Sequence, residues 1–129
     1  VFTFSMHGKK NYPFKKEKSD LDIELEDNTS DVEYLNILKN ILPRLINKFK
    51  PEFIFYLAGV DVIQTDKLGR LSLSIKGCKK RDEIVFSMCK KEKIPVQCSM
   101  GGGYSENIDT IVDAHLNTFK IAKKILYNY

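Results

Sequence analysis

Three polar side chains of this sequence lie within two residues of a glycine and after apolar segments, where they could take part in chemistry. They are His7 beside Gly8, Asp61 directly after an apolar run, and Tyr104 after the three glycines at positions 101–103. Imidazole transfers protons or binds metal, a carboxylate binds metal, and a phenol hydroxyl can donate a hydrogen bond to an oxyanion. We therefore take His7, Asp61 and Tyr104 as candidate catalytic or metal-binding residues. The alternatives are a loop cap for Asp61 and a packed aromatic ring for Tyr104.

Other residues of similar type fit ordinary structural roles. The glycines at 101–103 could hold a phosphate at a helix N-terminus, but neither a Gly-Lys-Ser/Thr ending nor a Gly-x-Gly-x-x-Gly pattern is present, so a nucleotide site is weakly supported. His115 lies on the apolar stripe of a predicted helix and is expected to be a hydrogen-bonded core residue. No Cys-x-x-Cys pair occurs among Cys78, Cys89 and Cys98, which are expected to be reduced, packed thiols.

Alternating strands and helices are expected to position the candidates. Continuous apolar or β-favouring runs predict strands at 1–6, 53–58 and 95–99, and helical spacing predicts helices at 31–49, 77–93 and after Ser105. The polar segment 8–30 is predicted to be a long loop. This order predicts an α/β fold, a parallel sheet with flanking helices, in one domain of residues 1–129. Ligands bind at the carboxyl ends of such strands, where all three candidates lie.

Four residues carry more detailed predictions about the helices. Ser30 begins a capping-box pattern at the start of the first helix, and Pro43 predicts a kink there or two separate helical segments. Arg81 is expected on the solvated basic face of the second helix. Ser105 is expected to be the N-cap of the last helix.

The composition is that of an ordinary folded domain. The chain has 129 residues, 43% of them hydrophobic, and a net charge of +4, which is too small to indicate nucleic-acid binding without a concentrated patch. Apolar runs are too short to span a membrane and no signal-peptide pattern is present, so we expect a soluble, cytoplasmic protein. A buried strand at residue 1, without an initiator methionine, leads us to expect that an upstream segment has been removed.

Five segments together resemble the zinc-dependent histone deacetylase family, and its bacterial and class IV-like members in particular. The most specific are residues 58–74 (AGVDVIQTDKLGRLSLS) and, about 30 residues later, residues 101–105 (GGGYS). Residues 5–8 (SMHG), 11–14 (NYPF) and 49–53 (FKPEF) are also similar to these members. The resemblance covers nearly all of this chain but only the C-terminal part of the family's catalytic domain.

This resemblance implies a fold, a cofactor and site residues. The fold would be the three-layer arginase/deacetylase-like α/β fold, incomplete in this chain. Asp61 matches the second aspartate that binds zinc in the family, and Tyr104 matches the tyrosine that donates a hydrogen bond to the substrate carbonyl and then to the tetrahedral oxyanion. The substrate would be acetylated lysine or a related acetylated amine. The resemblance implies that the substrate channel is lined by Phe14, Leu68, Gly102 and Gly103.

The chain also departs from the family in its histidines. It has neither the tandem histidine pair nor the Asp-x-His zinc ligands, and its two histidines are His7 and His115. We therefore expect a truncated piece of a deacetylase that binds zinc weakly or not at all and is inactive alone, and whose apolar edges promote a homo-oligomer. One alternative is a non-catalytic α/β module for oligomerisation or binding. Another is a metal site rebuilt across a subunit interface from Asp61, His7 and a partner's residues.

Overall fold

The computed structural model describes residues 1–127 and consists of short parallel strands and longer helices. The strands pair in parallel, β1 with β2 and β3 with β4, and the carboxyl ends of β3 and β4 meet at Gly59 and Gly101. The elements in chain order are β1 (Phe4–Gly8), β2 (Leu21–Leu25), α1 (Asp31–Phe49), β3 (Ile54–Gly59), α2 (Ile75–Lys91), β4 (Val96–Gly101) and α3 (Ile108–Tyr127).

The prediction of a loop over residues 8–30 is wrong at β2. Leu21, Ile23 and Leu25 alternate with acidic residues, and Leu25 is buried while Ile23 packs against the core. This is the period of a half-buried strand, with the acidic side chains on the other face. β1 begins at Phe4 instead of residue 1, and its hydrogen-bonded partner is β2.

α1 runs without interruption through Pro43, so the prediction of two helical segments is wrong. Ser30 occupies the N-cap position, but its side chain makes no capping hydrogen bond, contrary to the capping-box prediction. The Asp31 carboxylate instead accepts hydrogen bonds from the backbone N–H and the hydroxyl of Ser74, at 2.8 and 2.6 Å. Ser74 in turn caps α2 by accepting from the Gly77 N–H, so the N-termini of α1 and α2 are joined.

Arg81 is buried in α2, which corrects the prediction that it faces solvent. Its guanidinium donates to the neighbouring Asp82 carboxylate, which is 0% exposed and also accepts from the hydroxyls of Tyr56 and Thr118. A buried arginine needs such a partner because an unpaired charge inside a protein is strongly unfavourable. The pair ties α2 to β3 and α3. The predicted outward lysines of this helix are exposed: Lys79, Lys80, Lys90 and Lys91.

α3 begins at Ile108, so the prediction that Ser105 is its N-cap is wrong. Asn107 precedes the helix, and its side-chain oxygen accepts from the Asp109 N–H. Ser105 is instead buried against the loop after β3, with its hydroxyl 2.8 Å from that of Thr65. The helix buries a narrow side formed by Ala114, Thr118 and Ile121. Three of its large apolar residues, Ile108, Val112 and Phe119, are exposed.

Two clusters of buried side chains form the core. One lies among β2, α1, α2 and the loop before α2, and the other between the end of β3, α2 and α3. Cys78 and Cys89 are buried within them, and burial raises the pKa of Cys89 to about 11, as fits the predicted packed thiols. Cys98 is half-buried. Within residues 1–127 no helix is both long and apolar enough to cross a membrane.

Candidate active site

The Asp61 side chain lies across the carboxyl ends of β3 and β4. A methyl group on Gly59 would come within 2.8 Å of Asp61 Oδ1, and one on Gly102 within 2.7 Å of Cβ, Cγ and Oδ1 of the same side chain. Gly102, whose φ is +64°, is therefore needed for this contact, and a side chain at position 59 would push the Asp61 carboxylate away from the backbone. This contact brings the aspartate after β3 against the glycine turn after β4, as the topology of a parallel sheet predicts.

The environment of Asp61 disfavours its negative charge. Burial raises the pKa of the Asp61 carboxyl above its ordinary value, its own backbone N–H lowers it, the charge of Asp66 raises it further, and Arg81 lowers it. A bound cation would favour the ionised carboxylate at this position. The physical chemistry of Asp61 therefore fits a metal ligand.

The glycine turn presents Tyr104 to solvent beside Asp61. Gly102 and Gly103 have φ angles of +64° and +111°, which residues other than glycine rarely adopt. Tyr104 is 53% exposed, so this residue is accessible from solvent. His115 is half-buried, and its Nε2 lies 3.4 Å from the Gly102 carbonyl oxygen, so this histidine contacts the turn instead of filling the core.

A buried carboxylate, Asp66, joins the Tyr104 segment to the loop that carries Leu68. Its Oδ2 accepts from the Tyr104 N–H at 2.7 Å. Its Oδ1 accepts from the N–H groups of Leu68 and Gly69, at 2.9 and 2.7 Å. The Leu68 side chain is 62% exposed and, like the Tyr104 ring, is available to line a channel.

The end of β3 is fixed from within the molecule. Arg81 Nη1 donates a hydrogen bond of 2.5 Å to the Gly59 carbonyl oxygen, two residues before Asp61. Because Asp82 holds the same guanidinium through Nε and Nη2, the strand end is anchored to α2. The buried ion pair thus supports the backbone from which Asp61 projects.

His7 and Phe14 both line a cleft of about 270 Å³. His7 Nδ1 is 2.8 Å from the Ser5 hydroxyl, and the residues lining the cleft include Asp22 and Glu24 but not Asp61 or Tyr104. Phe14 is 85% exposed. The structure therefore brings Asp61, Leu68, Gly102, Gly103 and Tyr104 together, and it places His7 and Phe14 along a cleft at the end of β1.

The loop that carries Phe14 is organised around one lysine. Lys16 Nζ donates to the carbonyl oxygens of Lys9, Asn11 and Pro13, at 3.1, 2.7 and 3.1 Å. The ammonium group thereby gathers the backbone that precedes Phe14, which leaves the aromatic ring projecting outward. Charge-assisted hydrogen bonds of this kind are stronger than neutral ones.

Within the described residues 1–127, no group of three or more histidine, cysteine, aspartate or glutamate side chains is arranged to hold a metal ion. Catalytic zinc sites typically have three protein ligands and an open position. Asp61 therefore fits one ligand position of such a site, and the other ligands would have to come from residues other than those around Asp61.

Comparison with known proteins identifies the family. A family model described as "Histone deacetylase domain" matches residues 1–119. The chain belongs to the histone deacetylase family. It is 41% identical over 125 residues to an uncharacterized protein of Picosynechococcus sp., which covers 97% of this chain and 42% of that protein. It is 31% identical over 115 residues to Histone deacetylase 2 of Arabidopsis thaliana, covering 87% of this chain and 30% of that protein.

The fold of this chain matches that of solved structures. The chain superposes on acetylpolyamine aminohydrolase from Burkholderia pseudomallei with a TM-score of 0.80 at 17% identity, covering 97% of this chain and 38% of that one. The HDA15 HD domain gives a TM-score of 0.72 at 18% identity, covering 95% and 38%. The predicted family and its α/β fold are therefore confirmed, and the chain spans less than half the length of these relatives.

Sequence reasoning missed three residues that support the site: Asp66, Arg81 and Asp82. Asp66 precedes Leu68 and Gly69 by two and three residues, which is the spacing at which an aspartate accepts hydrogen bonds within its own turn. Arg81 and Asp82 follow Cys78 by three and four residues, so they share the buried side of α2 with it. These two spacings were the available signals.

Proposed function

We propose that this chain supplies the C-terminal part of the active site of a zinc-dependent deacetylase that acts on acetylated lysine or a related acetylated amine. The observation that carries the proposal is the Asp61 carboxylate resting on Gly102, two residues from the exposed Tyr104. Membership of the histone deacetylase family supports the reaction class. The named activities of the Burkholderia and Arabidopsis relatives support acetylated amines and acetyl-lysine as substrates. A cytoplasmic location stays a prediction from the sequence.

Each residue of the site has a distinct role in this proposal. Asp61 binds the metal, and a bound zinc ion supplies Lewis-acid chemistry at the substrate carbonyl. The Tyr104 hydroxyl donates a hydrogen bond to the carbonyl oxygen and holds it as negative charge develops there. Leu68 and the backbone of Gly102 and Gly103 form walls of the channel on this side. Phe14, on the loop organised around Lys16, would form a further wall of the channel.

We further propose that the isolated chain has no deacetylase activity. Asp61 offers one carboxylate where about three protein ligands are usual for catalytic zinc. His7, the other candidate ligand, lines the cleft with Phe14, and within residues 1–127 no group of three ligating side chains is arranged to hold a metal ion. A metal site rebuilt from Asp61 and His7 would therefore need further residues from a partner subunit.

The test is to complete the domain. A hybrid protein is made in which this chain replaces the corresponding 42% of the Picosynechococcus relative, and it is assayed with an acetyl-lysine peptide and with an acetylated polyamine. We expect the hybrid to hydrolyse at least one of these amides and the isolated chain to hydrolyse neither. An inactive hybrid beside an active parent, or zinc-dependent turnover by the isolated chain, would contradict the proposal.

The isolated chain is also expected to associate with itself. It exposes 8479 Å² of surface, whereas a compact monomer of this mass exposes roughly 7,000 Å². Part of the excess is one face of β3, where the Phe55 and Leu57 side chains are 79% and 68% exposed although parallel sheets are normally covered on both faces. We propose that this face forms the contact between copies.

Light scattering across micromolar concentrations tests the association. We expect species larger than a monomer, and we expect Leu57→Lys to shift the distribution toward the monomer because the lysine charge would be desolvated in the contact. The matched control is Lys39→Gln on the exposed side of α1, which should have no effect. A purely monomeric unsubstituted chain would rule out this proposal.

A further inference from the structure

We propose that Asp66 is a positioning residue for Tyr104, an inference that rests on the function proposed above. Asp66 is 8% exposed, and each of its carboxylate oxygens is committed to a different segment of the site. Oδ1 holds the turn at Leu68 and Gly69, and Oδ2 holds the backbone N–H of Tyr104. One side chain therefore sets the distance between a channel wall and the oxyanion donor.

Other contacts also join these segments, including an ion pair of 3.1 Å between the exposed side chains of Lys67 and Glu106 and an antiparallel bridge between Asp66 and Ser105. The Lys67 N–H reaches the Tyr104 carbonyl oxygen at 3.4 Å, which is long for a hydrogen bond, and the Thr65 and Ser105 hydroxyls are 2.8 Å apart. The hydrogen bonds to Asp66, at 2.7–2.9 Å, are shorter than the one between Lys67 and Tyr104. Their acceptor is charged, and charge-assisted hydrogen bonds are stronger than neutral ones. Tyr104 itself follows two glycines with positive φ, which give its backbone little restraint of its own.

The same carboxylate also fixes the turn against Asp61. A methyl group on Gly69 would come within 1.8 Å of the Asp61 carbonyl oxygen, so the turn held by Asp66 Oδ1 packs directly on the Asp61 backbone. Asp66 thus relates all three parts of the proposed site: the metal ligand, the channel wall at Leu68 and the hydroxyl donor.

Two substitutions separate the two arms of the carboxylate. In Asp66→Asn the side chain keeps one oxygen, so its NH₂ group must face either the Tyr104 N–H or the pair at Leu68 and Gly69, and one arm is lost. In Asp66→Ser the hydroxyl can still accept from the N–H groups of its own turn, as serine does in such turns, but it has no second oxygen for Tyr104. Asp66→Ser therefore removes the Tyr104 arm alone.

The first readout is amide hydrogen exchange in this chain, followed by NMR. We expect the Tyr104 amide of Asp66→Ser to exchange roughly tenfold faster while Leu68 and Gly69 stay protected. In Asp66→Asn, amide exchange should become faster either at Tyr104 or at Leu68 and Gly69. The control is Asp113→Asn on the exposed face of α3, which should change none of them. Unchanged exchange at Tyr104 in Asp66→Ser overturns the inference.

The second readout is catalysis by the hybrid protein. We expect Asp66→Ser to lower kcat roughly 100-fold, because misplacing a catalytic group by about 1 Å has an effect of that size, with KM and zinc content unchanged. A loss of zinc together with activity, or an unchanged kcat, would overturn the positioning role. An inactive unsubstituted hybrid would count against the proposed function, whereas the exchange measurement decides the role of Asp66 independently.

Discussion

Replacing Asp82 with alanine is expected to lower the free energy of unfolding of this chain by about 3–5 kcal/mol, because it leaves the buried Arg81 charge without its counter-ion. Asp82 accepts from the Tyr56 hydroxyl at 2.5 Å and from the Thr118 hydroxyl at 2.6 Å, so the same change also leaves two buried donors without their acceptor. Urea denaturation followed by far-UV circular dichroism measures the effect. Loss of the cooperative unfolding transition would mean that the variant is too unstable to fold, which is the largest effect this prediction allows.

The control for this prediction is the neighbouring carboxylate. Glu83 pairs with Lys80 at the surface, and Glu83→Ala should change the free energy of unfolding by about 0.5 kcal/mol or less. The double variant Arg81→Met with Asp82→Leu should lose less stability than Asp82→Ala alone, because it leaves no unpaired charge. An effect of Asp82→Ala no larger than that of Glu83→Ala would contradict the buried network.

Replacing Tyr104 with phenylalanine in the hybrid protein is expected to lower kcat by roughly 100- to 1000-fold, the range for loss of one oxyanion donor. The substitution removes only the hydroxyl from a ring that is 53% exposed, so the fold and the binding of zinc should not change. Steady-state hydrolysis of an acetyl-lysine peptide measures the effect, with zinc content determined on the same samples.

Tyr127→Phe is the matched control for this substitution. Tyr127 is exposed at the end of α3, far along the chain from the glycine turn, and loss of its hydroxyl should leave kcat unchanged. If Tyr104→Phe retained full activity at full zinc content, the role proposed for the Tyr104 hydroxyl would be wrong.

The family and the general fold could be predicted because they depend on local patterns. The apolar run before Asp61 and the glycines before Tyr104 mark two strand ends, and parallel topology brings such ends together. The contact of Asp61 with Gly102 is the outcome that this rule predicts. The helices at 31–49 and near 77–93 followed from the spacing of apolar residues, to within about two residues at their ends.

The structure differs from the sequence predictions where charged residues are not exposed or lie beside buried ones. β2 carries Asp22 and Glu24 on one face, and their density concealed the alternation of Leu21, Ile23 and Leu25. The neighbouring lysines favour the basic face of α2 for Arg81, whereas its spacing from Cys78 places it on the buried side. A buried charge is recognisable only once its partners are known, and Tyr56 and Thr118 lie 26 and 36 residues from Asp82 in the chain.

The site itself was only partly predictable for a related reason. The roles of Asp61 and Tyr104 follow from the family resemblance, whereas the Asp66 bonds to Tyr104 and the Arg81 bond to Gly59 depend on the three-dimensional arrangement of separate loops. The position of His7 has the same origin. His7 stands at the end of β1, which pairs with β2 and not with β3 or β4.

The most direct test of the account is the zinc content of the hybrid protein with and without the Asp61 carboxylate. After equilibration with zinc and removal of the excess, we expect near-stoichiometric zinc in the hybrid and little in its Asp61→Asn variant. An Asp109→Asn control on the exposed first turn of α3 should retain zinc fully. The isolated chain should retain none. Full retention of zinc by Asp61→Asn would contradict the central claim that this chain contributes Asp61 as a ligand of the catalytic metal.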